Sequence, residues 1–326
     1  MSWSWSSAFR GAVCAAPAAV VALTDVQLAA GLSVGLIPVL SLPLAPSRVA
    51  RVRSGLTGVL AAVSVVAGGF LAQWPVLAVV GIVLAGGLLG KAAAARTGPG
   101  TLMALFLCLP LMAVGFSYPG TEKVVGLAAD LLAGTAWAVL VGLAWPAHTA
   151  PAERTATLPP PWLLVPYGWV AGAVGATCAA IGFAADLEHV GWAPAAALLV
   201  MRPSAPVQRM RSLHRVGDVV LGAGAAVLLV QAEPREWVYA IAIGAAVTLA
   251  AATAASHWYV LPTFTTYFVF IMLLSGDLGD ARERFWERVL ETGLGIGVAA
   301  VASFVVLPAL LRHRRDSAGS ADATAR

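Results

Sequence analysis

Two short elements in the second half of the chain carry residues that could move protons or bind anions. Each has an arginine, an acid three residues later and a glycine four residues beyond the acid. They are Arg215, Asp218 and Gly222 in the first element, and Arg288, Glu291 and Gly295 in the second. In a helix this spacing places the three residues along one face. Each element opens an apolar run, and charge inside such a run is costly and commonly functional.

The acids Asp218 and Glu291 are candidates for proton coupling. Burial favours the neutral form of a carboxyl group, and a neighbouring arginine favours the charged form. A balance between the two gives a group that can gain and lose a proton during a transport cycle. Asp130, followed by Gly134, is a third candidate, although Leu127 stands where the arginine would be. The structural alternative is that each acid only neutralises its arginine and fixes a helix end.

Cations, aromatic rings and hydroxyls near these elements are candidate substrate-binding groups. Arginine can bind a carboxylate through two hydrogen bonds, aromatic rings can stack on a substrate ring, and hydroxyls beside Pro262 can line a helix opening. The candidates are Arg211, Arg215, Arg288, Trp192, Trp258, Tyr259, Thr263, Thr265 and Thr266. Each class has an ordinary alternative, namely anchoring at the inner membrane face, lying at the membrane interface, or packing between helices. The first alternative does not explain Arg288, because helix parity places this residue on the outer side of the membrane.

The composition requires a membrane. Hydrophobic residues make up 60% of the chain, charged residues only 11%, and the mean hydropathy is +0.85. Soluble domains carry about 25% charged residues, so this chain predicts an integral membrane protein whose partner is the lipid bilayer. The net charge of +4 comes from basic residues beside apolar runs, which is typical of membrane topology and not of nucleic-acid binding.

The apolar runs predict an all-α fold with about twelve transmembrane helices. We expect them at 10–24, 27–44, 54–72, 75–91, 99–117, 125–145, 165–184, 189–202, 215–232, 236–255, 258–276 and 289–311. The weakly marked runs 27–44 and 189–202 could instead be re-entrant. Basic residues alternate with acidic ones between successive runs, so the positive-inside rule predicts a multi-pass membrane protein with both termini in the cytoplasm.

A repeat divides the chain into two six-helix halves. Gly11–Asp25 resembles Gly172–Asp186 at an offset of roughly 161 residues, so the apolar start after Arg10 is not expected to be a cleaved signal peptide. The predicted domains are a diverged first half (1–146), a Pro-rich cytoplasmic linker (147–164), a second half (165–311) and a basic, then polar, disordered tail (312–326). The two charged elements begin the third and sixth helices of the second half, which predicts nested inverted three-helix repeats.

The sequence predicts no cofactor, no metal site and no enzyme. It has no phosphate-binding loop, no Ser/His/Asp set and no zinc signature, and its five histidines form no ligand set. The three cysteines lie in apolar runs and are interpreted as packing residues.

The chain resembles the fusaric acid resistance (FUSC) family, which includes bacterial aromatic acid exporters. The resemblance rests on Gly191-Trp192-Ala-Pro, Arg202-Pro203, the two charged elements, the aromatic and threonine residues near Pro262, and the closing Pro308. It is good over 166–311 and weak over 10–146. Asp218 stands where the family usually has threonine. Many relatives also carry a large cytoplasmic domain, where this chain has only a short linker and tail.

The resemblance and the buried charges together predict a secondary, proton-coupled exporter of small organic, aromatic acids. The alternatives are an organic-anion channel and a non-transport membrane scaffold of the cell envelope. The resemblance also implies that a homo-oligomer can form, although the sequence specifies no interface.

Overall fold

The computed structural model describes residues 3–96, 102–146, 159–254, 260–275 and 281–310, and every regular element among them is helical. The helices are α1 (Trp5–Val21), α2 (Val26–Leu40), α3 (Arg48–Ser54), α4 (Leu56–Leu71), α5 (Pro75–Ala95), α6 (Ala104–Gly115), α7 (Thr121–Ala144), α8 (Pro161–Ala184), α9 (Trp192–Val200), α10 (Ala205–Gln231), α11 (Glu236–Thr253), α12 (Leu261–Leu274) and α13 (Ala281–Val301). Most of the linker and all of the tail predicted from the sequence lie outside the described residues.

Seven helical segments of the described chain are long and apolar enough to cross a membrane. They are Arg48–Leu71, Pro75–Ala95, Thr121–Ala144, Pro161–Ala184, Pro206–Gln231, Glu236–Thr253 and Arg282–Leu310. Helices α2, α6 and α12 are apolar but shorter. The nine residues of α9 extend only about 14 Å. The all-α membrane fold is therefore supported, whereas the number of twelve membrane-spanning helices stays a prediction.

Prolines set two irregular turns. A π-helical turn at Ala104–Cys108 precedes Pro110, and another at Ala302–Val306, which continues α13, precedes Pro308. Proline has no N–H, and its ring clashes with the carbonyl group four residues earlier. In both segments the chain widens locally where that hydrogen bond is lost.

The helices cluster into two compact units, and each unit takes helices from both halves of the sequence. Unit 1 comprises 1–67, 120–156 and 213–290; unit 2 comprises 68–119, 157–212 and 291–326. The unit boundaries pass through α4, α10 and α13. The predicted first and second halves thus correspond to the two copies of the sequence repeat. That each half is also a structural domain stays a prediction.

Unit 1 is built around α2. Helices α1, α7, α11 and α12 all pack on it, and α1 also packs along α11. Glycine permits the close approach of α1 to α11, because a methyl group on Gly11 would meet Thr248 and Ala251 on α11. Ser47 caps α3, and Asp25 caps α2 through the amide of Leu28.

Unit 2 is built on the pairing of α5 with α8. Gly86 and Gly90 of α5 face Gly168 and Gly172 of α8, where added methyl groups would meet backbone atoms. Helix α9 packs on α8 and α6. An apolar core that includes Ile82, Phe116 and Tyr167 fills the space between them. Small residues at a helix interface allow this close packing in a membrane.

One contact occurs in both units at corresponding positions. A methyl group on Gly134 would overlap the carbonyl oxygen of Leu32 in unit 1, and one on Gly295 would overlap the carbonyl oxygen of Ala193 in unit 2. Both members of the second pair lie 161 positions after those of the first. The same offset relates Asp130 to Glu291. This recurrence is what the sequence repeat would produce.

Candidate functional site

The first charged element lies where α10 packs against α12 in unit 1. A methyl group on Gly222 would overlap the carbonyl oxygen of Thr263 and come within 3.0 Å of the Thr266 side chain. Because Gly222 has no side chain, α12 can lie directly against the face of α10 that carries Arg215 and Asp218. The glycine of the motif thus determines the distance between the two helices.

Two hydrogen bonds join these helices beside Gly222. The Thr263 hydroxyl donates to Asp218 Oδ1 at 2.9 Å, and Arg215 Nη1 donates to Thr266 Oγ1 at 3.4 Å. Arg215, Asp218 and Thr266 are 6%, 5% and 3% exposed. We call Arg215, Asp218, Thr263 and Thr266 the α10–α12 cluster.

The cluster contains a carboxyl group whose charge can change. Ionised Asp218 is stabilised by the Thr263 hydroxyl and by the positive charge one turn earlier on α10. Protonated Asp218 would leave the Arg215 charge less compensated. Among the described residues, Arg215 Nε has no hydrogen-bond partner. The cluster therefore combines a titratable group with a cation that has a donor to spare.

Thr265 does not join the cluster. Its hydroxyl donates to the carbonyl oxygen of Leu261 in its own helix at 3.4 Å, which is a common helical arrangement for threonine. Trp258 and Tyr259 lie outside the described residues, so their candidacy stays a prediction.

The second charged element lies on α13. Arg288 belongs to unit 1 and is 7% exposed, and Glu291 belongs to unit 2 and is 4% exposed. One residue beyond Glu291, Thr292 is also buried, and Gly295 packs against α9. Both charged groups are thus buried, as the sequence pattern indicated.

Asp130 lies on α7 against α2. A methyl group on Gly31 would come within 2.5 Å of Asp130 Oδ2. Gly31 therefore leaves the space that the carboxyl group occupies. The Asp130 side chain is half-buried, so it is more exposed than that of Asp218.

Unit 2 carries the remaining candidates, Arg211 and Trp192. Arg211 Nη1 donates weakly, at 3.5 Å, to the carbonyl oxygen of Leu199. Trp192 is buried and stacks on His189, with ring centroids 4.0 Å apart. One face of the Trp192 ring is therefore already covered by a residue of the protein.

The loop between α9 and α10 in unit 2 holds a cation that sequence reasoning did not single out as a site residue. Arg202 lies over the Phe106 ring at 4.6 Å and donates to the carbonyl oxygen of Met201, which also accepts from the Tyr167 hydroxyl at 3.0 Å. Burial lowers the pKa of the Arg202 guanidinium and the nearby Tyr167 raises it, although arginine remains charged in proteins. Phe106 lies in the first π-helical turn, so this aromatic–cation contact depends on the irregular backbone before Pro110.

Two further buried arginines, Arg10 and Arg51, were also missed as site residues. They are 7% and 5% exposed. For Arg10, the available signal was a charged residue among the first apolar residues of the chain. Its position near the start of a predicted helix made it look like part of a topology-determining flank.

Comparison with protein families finds a match to the family described as fusaric acid resistance protein-like, over residues 162–302. Searches of curated proteins and of solved structures find no significant match. The resemblance to the fusaric acid resistance family is thereby confirmed for most of the second half of the sequence. Together with the apolar helices, it supports a multi-pass membrane protein with a transport or resistance function.

Proposed function

Because residues 162–302 are fusaric acid resistance protein-like, we propose that the protein is a secondary exporter of small organic acids, driven by the proton gradient. The substrates we propose are aromatic acids, and the setting is a bacterial-type inner membrane with both termini in the cytoplasm. The observation that carries the proposal is the α10–α12 cluster. In it a buried acid accepts a hydrogen bond from Thr263 one turn from a buried arginine.

The cluster supplies the linkage that coupled transport needs. Adding a proton to Asp218 changes the charge beside Arg215, and so changes the affinity of this region for an anion. Because such linkage is reciprocal, a bound organic anion also changes the proton affinity of Asp218. A buried intramembrane acid with no role in transport would have to be retained despite its desolvation cost.

Glu291 is proposed as the second proton-coupling group, with Arg288 three residues before it. Asp130, at the corresponding position of the first half, is proposed as the third. Arg211, Trp192 and the threonines of α12 are proposed to contact substrate.

Efflux from proteoliposomes tests the proposal. Vesicles containing the protein are loaded with benzoate and diluted into medium at equal or lower external pH. Efflux should be faster into the acidic medium, and Glu291→Gln should remove most of that acceleration. Glu236→Gln is the matched control, because Glu236 is an exposed acid at the start of α11. Protein-free vesicles correct for leakage of the protonated acid.

Two results would contradict the exporter. Benzoate efflux that ignores the pH gradient and is accompanied by large single-channel currents would identify an organic-anion channel. The absence of any protein-dependent benzoate flux would leave a non-transport membrane scaffold as the better description.

A further inference from the structure

Unit 1 contains a pocket with two buried arginines and no acid. Arg10 on α1 and Arg51 on α3 both line it, and the loop that contains Pro43 and Ala45 forms part of its wall. None of the lining residues found in the described part of the chain carries a negative charge. Burying two like charges together is costly unless a counter-charge is present.

The two arginines are satisfied to different extents. Arg51 Nε donates to the carbonyl oxygen of Ala45 at 2.7 Å, and its Nη1 donates to those of Gly142 at 2.8 Å and Trp145 at 2.6 Å. Arg51 therefore ties the loop to the carboxyl end of α7. Arg10 Nε, by contrast, has no hydrogen-bond partner among the described residues. The pocket thus contains a buried donor that the protein does not use.

An apolar cavity of about 290 Å³ lies along the same helices. It is lined by Cys14, Pro17 and Ala18 of α1, Leu32 and Leu36 of α2, and Ala133, Gly134 and Trp137 of α7. Ala133 and Trp137 are exposed, so the cavity opens on that side.

The basic pocket and the apolar cavity follow one another at a spacing of about one helical turn. On each of the three helices, a residue that lines the pocket is four positions from one that lines the cavity. The pairs are Arg10 with Cys14, Leu40 with Leu36, and Ala138 with Gly134. Residues four apart share a helix face and are separated by about 6 Å along the axis.

We propose that the pocket and the cavity form one binding site for a small carboxylate with a ring-sized apolar body. The carboxylate lies at Arg10, with Arg51 supplying further positive charge, and the apolar body lies in the cavity beside Trp137. The basic pocket itself has room for about one water-sized group, which is enough for a carboxylate oxygen and too little for a ring. The site uses α1, α2 and α7, so it is separate from the α10–α12 cluster.

Binding at this site does not depend on the proposed transport activity, but its role as a substrate site rests on the proposed function. An anionic lipid could offer the same chemistry, since its headgroup is charged and its chains are apolar. The test therefore separates a free carboxylate from a lipid headgroup.

Calorimetric titration of the purified full-length protein with benzoate is the first measurement. Arg10→Gln should weaken binding by about tenfold or more, which corresponds to about 1.4 kcal/mol. Arg53→Gln, which removes the same charge from an exposed position two residues after Arg51, should stay within about twofold of the parent. Equal affinity in the parent and in Arg10→Gln would overturn the proposal.

A second pair of variants tests the apolar half and covers the case in which Arg10→Gln fails to fold. Ala133→Leu narrows the cavity and should weaken benzoate binding while leaving acetate binding unchanged. Ala136→Leu, at an exposed position of α7 outside the cavity lining, should leave both unchanged. Benzoate affinity that is unchanged in Ala133→Leu would contradict the placement of the ring.

Neutral and lipid ligands complete the test. Benzyl alcohol, which has the ring but no charge, should bind much more weakly than benzoate, and equal binding would overturn the role of the arginines. In nanodiscs, benzoate affinity should be similar in phosphatidylcholine and phosphatidylglycerol. Loss of benzoate binding in phosphatidylglycerol would assign the site to a lipid headgroup. Gradient-driven benzoate efflux without benzoate binding at this site would overturn the site but not the proposed exporter. Benzoate binding at this site without efflux would overturn the exporter but not the site.

Discussion

Thr263 is the partner that distinguishes Asp218 from an ordinary charge at a helix end. Its hydroxyl donates to Asp218 Oδ1 across the α10–α12 contact, and a hydrogen bond to a charged group is worth about 1.5–3 kcal/mol. Gly222 makes the contact possible because α12 lies directly against it. The behaviour of Asp218 therefore depends on a neighbouring helix as well as on Arg215 in its own.

The change Thr263→Val removes the donor and keeps the shape of the side chain. We expect a loss of thermal stability and roughly tenfold slower gradient-driven benzoate efflux, because about 1.4 kcal/mol of stabilisation of the ionised state is lost. Thr265→Val is the matched control, since the Thr265 hydroxyl bonds within its own helix. Equal effects of the two changes would show that the Thr263–Asp218 bond has no special role.

The sequence identified Asp218, Arg215, Glu291 and Arg288 as buried charges, because charged residues are rare inside apolar runs. It could not separate Thr263 from Thr265. Hydroxyls two residues apart point to different sides of a helix, and which side faces Asp218 depends on how α12 lies on α10. Arg10 was missed because a single cation near a helix start is usually a topology signal.

At the scale of helices, glycines determine which pairs approach closely. Gly134 of α7 lies on the backbone of α2, and Gly295 of α13 lies on the backbone of α9. On the same helices, a methyl group on Gly126 or on Gly293 would have no described atom within 4 Å. The helices thus contain both packing glycines and unconstrained ones.

Gly134→Ala and Gly295→Ala should each destabilise the protein, by about 1–3 kcal/mol, because a methyl group would have to displace a neighbouring backbone. The controls Gly126→Ala and Gly293→Ala should be neutral or slightly stabilising, by up to about 1 kcal/mol, since alanine favours the helix. Melting temperatures in detergent check all four. Stability that is unchanged in Gly134→Ala would contradict the α2–α7 contact.

Helix locations were predictable from the sequence because each apolar run overlaps a helix. The lengths of the helices were less predictable from the sequence. The run 189–202 gives only the nine residues of α9, since a buried loop that contains His189 and Gly191 precedes it and Met201 ends it. The π-helical turns depend on how the chain adjusts around Pro110 and Pro308, which local composition does not fix.

At the scale of the whole molecule, the two compact units exchange helices between the halves of the sequence. Helices α11 and α12 of the second half complete unit 1, and α5 and α6 of the first half complete unit 2. A repeat in the sequence does not reveal this exchange, because the offset between copies is the same whether the copies pack separately or interleave.

Expression of the halves as separate polypeptides tests this arrangement. Residues 1–146 alone should be unstable, because the faces of α1 and α2 that pack on α11 and α12 would have no partner. Co-expression with residues 159–326 should restore a stable complex, detected by co-purification and a cooperative melting transition. A stable, monomeric 1–146 fragment would contradict the exchanged arrangement.

The most direct test of the central claim is gradient-driven benzoate efflux by Asp218→Asn in proteoliposomes. Asparagine can still accept the Thr263 hydrogen bond, so the packing of the α10–α12 cluster is kept while proton exchange is lost. We predict that benzoate exchange at equal pH persists, and that the acceleration of efflux by an acidic external medium disappears. Acceleration equal to that of the parent protein would contradict proton coupling through Asp218.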